Sequence, residues 1–242
     1  MPRLVGSEMC IRDRNYIKKS ARKSLSERRE FSIFTNTLLM IKDSVPEDIS
    51  IINVIKDLED IIPSKFFNSI DMIIVGQFPE LKNTDRRAVF MDGGIYVTNE
   101  QPSSEQMLED LIHEIAHAVE EEYNNFIYSD GQVEREYLSK KKRFLDTLSS
   151  YGHRVPNRVR VGSEYSRELD DFLFYNIGYE NLVGLTTGLF LDPYASVSLS
   201  EYFAVSFETY YMSEDIGYLK GISPIIHNKI ESIHNGDKYE KY

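Results

Sequence analysis

Apolar positions switch between helical and alternating spacing along the chain, and the switches mark its elements. Residues 15–45 mix charges with an apolar run of Phe31, Ile33, Phe34, Leu38, Leu39 and Ile41, which predicts one or two helices. From Ser50, a favoured capping residue, Ile51, Ile52, Val54, Ile55, Leu58, Ile61 and Ile62 recur at helical spacing until Pro63 ends the run. Ile70–Val75 is short and rich in branched residues, so it reads as a buried strand. Ala88–Met91 and Ile95–Thr98 read as two more, joined by an Asp92-Gly93-Gly94 hairpin turn. Ser103 and Gln106 have the spacing of a capping box, and the helix they open carries Leu108, Leu111, Ile112, Ile115 and Val119 on one face. Beyond Tyr123 the pattern is helical and acidic. Gln132–Leu148 is a long helix whose Lys140–Arg143 stretch reads as a solvated face. Arg154–Val161, around Pro156, is a loop, and helices follow at Arg167–Tyr175, Ser198–Met212 and Pro224–His234. No internal repeat or low-complexity linker interrupts this pattern.

A chain of 242 residues with 41% hydrophobic content can bury one substantial core, and no apolar run approaches a membrane span. The net charge of −11 argues against nucleic acid as a partner. Residues 1–30 run the other way, with nine Lys/Arg against four Asp/Glu, which reads as a solvated helix. Residues 1–14, MPRLVGSEMCIRDR, resemble translated sequencing-adapter read-through and are set aside from the fold. Cys10, the one cysteine, lies within them, so disulfides are excluded. No leader is visible. Because the true start is expected to lie elsewhere, both cytoplasmic and secreted locations stay open.

The chemistry begins at His113-Glu114-Ile115-Ala116-His117, an HExxH pattern on the helix that follows the hairpin. Residues four apart share one helical face, so two imidazoles can grip one metal ion, with Glu114 beside them to take a proton from an activated water. A catalytic zinc site usually has three protein ligands. The extended pattern with a third histidine is absent, since Tyr123 holds that place and Glu120 stands where its glycine belongs. His153, His227 and His234 have no supporting context and read as surface or satisfied histidines. A carboxylate is therefore expected to complete the site.

Downstream lies Pro193-Tyr194-Ala195-Ser196-Val197-Ser198-Leu199-Ser200-Glu201-Tyr202-Phe203-Ala204, continuing to Phe207 and Glu208. Together with HEIAH it resembles the anthrax lethal factor-like gluzincins, a family that includes the Pro-Pro endopeptidases and many bacterial and phage-encoded metallopeptidases. In that family a downstream E-[FY]-[FI]-A-x-x-F helix supplies the glutamate ligand, and a tyrosine seven residues earlier helps stabilise the transition state. The resemblance implies Glu201 as third zinc ligand and Tyr194 as the oxyanion-side hydroxyl. With them go His113 and His117 as the first two ligands and Glu114 as general base. It is specific over 110–122 and 193–207. Two features depart from it: a long excursion between His117 and Glu201, and Val205 in place of an acidic residue. Two alternatives stay open. Ser198-x-x-Glu201 is also a capping box that would spend the Glu201 carboxylate on a backbone N–H, and Glu208, on the same helical face, is a rival ligand.

The fold expected is α+β and zincin-like. Residues 15–123 form a small, mostly antiparallel sheet and the active-site helix, and 124–242 form a helical half carrying the third ligand. Gly94–Thr98 is the expected edge strand for an extended substrate. The function implied is a zinc-dependent endopeptidase, with one Zn2+ per chain and a peptide or protein substrate. The competing reading is a catalytically idle zincin-like binding or structural protein of a phage or toxin assembly.

Overall fold

The computed structural model describes residues 29–236 apart from 35, 85, 157–161 and 214. The adapter-like segment and most of the basic start therefore lie outside the described residues. The fold is α+β: a five-stranded sheet with helices, followed by a helical second half.

The sheet runs β1 (Arg29–Ile33), β2 (Thr37–Ile41), β3 (Met72–Gly76), β5 (Gly94–Thr98) and β4 (Ala88–Met91) in spatial order. The helices expected within 15–45 are corrected over 29–41, where the chain makes the β1–β2 hairpin. Thr37-Leu38-Leu39-Met40-Ile41 is an almost unbroken apolar run because β2 lies inside the sheet with a partner on each side. Such a run looks alike in a buried strand and a buried helix. The sheet is mixed rather than mostly antiparallel. β2–β3 and β3–β5 pair parallel, while β1–β2 and β4–β5 pair antiparallel. The parallel pairing of β2 with β3 needs a crossover, and helix α1 (Ile51–Ile61) supplies it. Ser50 caps α1 by accepting from Asn53 N at 3.4 Å, as its sequence predicts.

The hairpin turn forms where expected, with Asp92 at φ 50° and Gly93 at φ 75°, the two left-handed positions a tight hairpin requires. Its consequence differs from the expectation. β5 is interior, flanked by β3 and β4, so β4 is the edge strand on this side of the sheet. A short helix α2 (Pro79–Thr84), not foreseen, leads into it.

Helix α3 (Ser104–Tyr128) packs across β4 and β5. Leu111, Ile112, Ile115 and Val119 have no exposed surface, and Leu108 is buried with them. Each such side chain stabilises the fold by about 1.5–3 kcal/mol. Ser103 caps the helix, accepting from Gln106 N at 3.1 Å, but Gln106 reaches Glu109 instead of closing the box. Helix α4 (Gln132–Ser150) follows. Its lysines correct the solvated-face reading. Lys140 and Lys141 are buried, with Lys140 Nζ donating to Tyr202 OH at 2.9 Å and Ser223 Oγ at 2.7 Å, whereas Lys142 and Arg143 are exposed.

Arg167–Asp171 forms α5 and continues as a π-helical turn, Phe172–Ile177, then α6 (Tyr179–Thr186). After a 3₁₀ turn at Pro193–Ser196 come α7 (Leu199–Met212), α8 (Ile216–Ile222) and α9 (Pro224–Asn235). Helix α7 is buried along Glu201–Phe207 and lies against α3, which carries HExxH. Among the described residues, no helix is long and apolar enough to cross a membrane.

Candidate metal centre

On α3, the four-residue spacing stacks His113 and His117 one turn apart, their ring centroids 5.1 Å from each other. Both are half-buried, because they flank the apolar stripe instead of lying within it. The first turn of α7 faces them. Glu201 Oε2 lies 3.0 Å from His113 Nε2 and 3.7 Å from His117 Nε2. One ligand atom from each of these three residues lies within 4.8 Å of the others, so the group could hold a metal ion.

The capping question resolves in the geometry. Ser198 Oγ accepts from Glu201 N at 3.1 Å, so the cap is made by the Glu201 backbone. The carboxylate is left for the site, with Oε1 accepting from Tyr194 OH at 3.1 Å and Oε2 meeting His113. Glu208, the rival ligand, turns to the far nitrogen of His113, its Oε2 3.2 Å from Nδ1. It therefore stands behind the histidine and not with the Nε2 atoms.

Tyr194 sits in the 3₁₀ turn before α7, held by Asp192 Oδ1 accepting from its N–H at 2.7 Å. This turn brings its ring 6.2 Å from that of His113, across the cluster. Glu114 is buried and faces the sheet edge, where its Oε2 accepts from Phe90 N at 2.6 Å.

Burial and charge set the protonation of these groups. Burial disfavours the Glu201 carboxylate, but hydrogen bonds from His113 and His117 hold it well below the usual carboxylate range. Burial pulls the His113 imidazole down, yet bonds to Glu201 and Glu208 outweigh it and push the group up to about 10. For His117 the same contest, with Glu120 and Glu201 as partners, ends at about 9. Burial raises Glu114, opposed by the two histidines and the Phe90 N–H. Burial and the neighbouring Glu201 charge raise Tyr194 far above neutral pH, so it remains a hydroxyl donor.

The other histidines stay away from the cluster. His227 is buried near Tyr210, with Nδ1 3.3 Å from Asn228 Oδ1, and His234 is exposed with Tyr211 OH 2.8 Å from its Nδ1. His153 is half-buried. A separate hollow lined by Pro156, Arg167, Phe172 and Tyr175 shares no residue with the centre.

Sequence reasoning missed the residues behind the candidate ligands. Ser200 Oγ lies 3.1 Å from His117 Nδ1 and donates to Glu120, which Tyr128 OH also reaches at 2.6 Å. Two signals were present: Glu120 follows His117 by three residues, and Ser200 directly precedes Glu201. No family model, curated protein or solved structure matches this chain.

Proposed function

We propose that the chain is a zinc-dependent peptidase of the zincin type, acting on peptide or protein substrates within the chain. The observation that carries the reading is the convergence of His113, His117 and Glu201 on one point, with Glu114 on the same helix beside it. Two imidazole nitrogens and a carboxylate, leaving further positions open, are the donor set and number of a catalytic zinc site. A zinc ion held there would supply Lewis acidity, lowering the pKa of a water to about 7 and polarising a carbonyl.

The remaining work falls to the chain itself. Glu114 accepts the proton of the attacking water and later delivers it to the leaving amine. Its hydrogen bond from Phe90 N anchors one carboxylate oxygen and leaves the other to act. Tyr194, protonated at neutral pH, donates to the oxygen that gains charge, exchanging its bond to Glu201 for that role.

The edge strand β4 gives the substrate its direction. Val89 pairs with Tyr96, and Arg87 O accepts from Thr98 N at 2.8 Å, so the alternation turns the backbone groups of Ala88 and Phe90 away from β5. Since Phe90 N binds Glu114, that outward side of β4 borders the catalytic groups. An extended peptide pairing there would lay its backbone alongside Glu114.

The test is elemental analysis of purified protein, followed by cleavage of a peptide library by wild type and Glu114→Gln. The reading expects one zinc per chain and cleavage lost in the variant. Zinc without cleavage of any peptide, or absence of zinc, would overturn the peptidase reading and leave the binding-protein alternative.

A further inference from the structure

We propose that Glu120, acting through Ser200, is the positioning residue that presents Nε2 of His117 to the metal. This rests on the metal-site reading above and deepens it. The argument is one of hydrogen-bond polarity. Glu120 Oε2 meets the Ser200 hydroxyl in a short hydrogen bond and lies 3.5 Å from His117 Nδ1, while Tyr128 OH donates to Oε1 at 2.6 Å. Both Glu120 oxygens are placed as acceptors, Oε1 for Tyr128 and Oε2 for Ser200, so the single hydroxyl proton of Ser200 points at Glu120. Ser200 Oγ then offers His117 a lone pair across 3.1 Å. Only an Nδ1–H can meet that lone pair.

A neutral imidazole carries one proton, so placing it on Nδ1 leaves Nε2 with the lone pair a metal needs. Nε2 is the nitrogen that faces Glu201. Among the described residues, Ser200 and Glu120 are the partners on Nδ1 that choose that tautomer, and a ring protonated on Nε2 cannot ligate through that nitrogen. The arrangement also explains why a glutamate suits the place where the extended motif has glycine. Glu120 follows His117 by three residues on α3, so its carboxylate rises over the outer edge of that ring. Ser200 precedes the ligand Glu201 on α7, so the same hydrogen bond that orients His117 also ties the two ligand helices together. Tyr128 fixes the carboxylate from the far end of α3, and the Glu120 side chain is only 13% exposed.

The experiment compares zinc affinity, by competition with a chromophoric chelator, in wild type, Glu120→Ala, Ser200→Ala and Ser200→Thr. Affinity should fall about 10–100-fold in both alanine variants and return close to wild type in the threonine variant, which keeps the hydroxyl. Helix content by circular dichroism should be unchanged in all. In zinc-loaded protein labelled with 15N-histidine, the His117 Nδ1 proton should be visible in wild type and exchange faster in Ser200→Ala. Unchanged zinc affinity in both alanine variants, failure of Ser200→Thr to differ from Ser200→Ala, or an Nε2–H on His117 would overturn the assignment. A wild-type chain that binds no zinc would overturn the metal site itself. Zinc-loaded wild type with indifferent variants would overturn only the role of Glu120 and Ser200.

Discussion

Glu114 on helix α3 accepts from the backbone N–H of Phe90 on β4 at 2.6 Å, so the proposed general base is fastened to the sheet edge where substrate is expected to lie. This bond gives Glu114→Gln a specific outcome. The glutamine oxygen can keep the Phe90 bond, turning an amide NH2 that accepts no proton towards the reacting water. Zinc content and fold should match wild type, while kcat falls by about 10²–10⁴, the usual contribution of a general base. Retention of more than a tenth of wild-type kcat would show that another group is the base.

Tyr194 OH donates a 3.1 Å hydrogen bond to Glu201 at the candidate metal centre. Tyr194→Phe should cost about 0.5–1.5 kcal/mol of stability for that bond and leave zinc in place. Steady-state kinetics should show kcat lowered by about 10²–10³ with little change in KM, the signature of a donor used in the transition state.

Glu201 and Glu208 should separate cleanly in a metal titration. Glu201→Ala removes a ligand and should abolish stoichiometric zinc. The Ser198 cap survives, because it uses the Glu201 backbone N–H. Glu208→Ala frees the Nδ1 side of His113 and should weaken zinc about 10–100-fold without abolishing it. Equal zinc content in wild type and Glu201→Ala would reject the ligand set.

Protons and the proposed zinc would compete for the same histidines. Glu201, Glu208 and Glu120 raise His113 to about 10 and His117 to about 9 against the pull of burial, so both rings hold protons at neutral pH in the metal-free chain. Groups raised in this way stabilise the metal-free fold below their unfolded value of about 6.5 and lose that contribution as pH climbs through 9 and 10. Zinc binding must displace these protons, so its apparent affinity should rise with pH through the neutral range and level off above about 10. Calorimetry at pH 7 in buffers of different ionisation enthalpy should show proton release on loading. A pH-independent affinity would contradict the charge balance described here.

Much of this was legible in sequence wherever the signal was local. The Ser50 cap, the Asp92-Gly93 turn and the apolar stripe of α3 depend on neighbours within a few residues and form as read, and Ser103 caps α3 although Gln106 does not close the box. Failures came where distant partners decide. The run at Thr37–Ile41 is a strand because β1 and β3 flank it, and β4 rather than β5 is the edge because β3 claims the other side of β5. Lys140 reads as a surface charge until Tyr202 and Ser223, from two other stretches of chain, close over it. The side chains converging on Glu201 could be proposed from a motif. The partners on the outer nitrogens could not, since Ser200 and Glu208 meet the histidines only once α7 docks on α3.

That docking carries a consequence for when the chain can act. HExxH offers two ligands as soon as α3 forms, but Glu201 lies far downstream and reaches them only through tertiary packing. An unfolded or half-made chain therefore has no complete centre. A metal bound there would select the finished fold, adding about 2.7 kcal/mol at a hundredfold excess over Kd. If the chain is the hydrolase proposed, it would stay harmless to its own nascent chain, because the residue that completes the centre is delivered by the folding step that buries everything else.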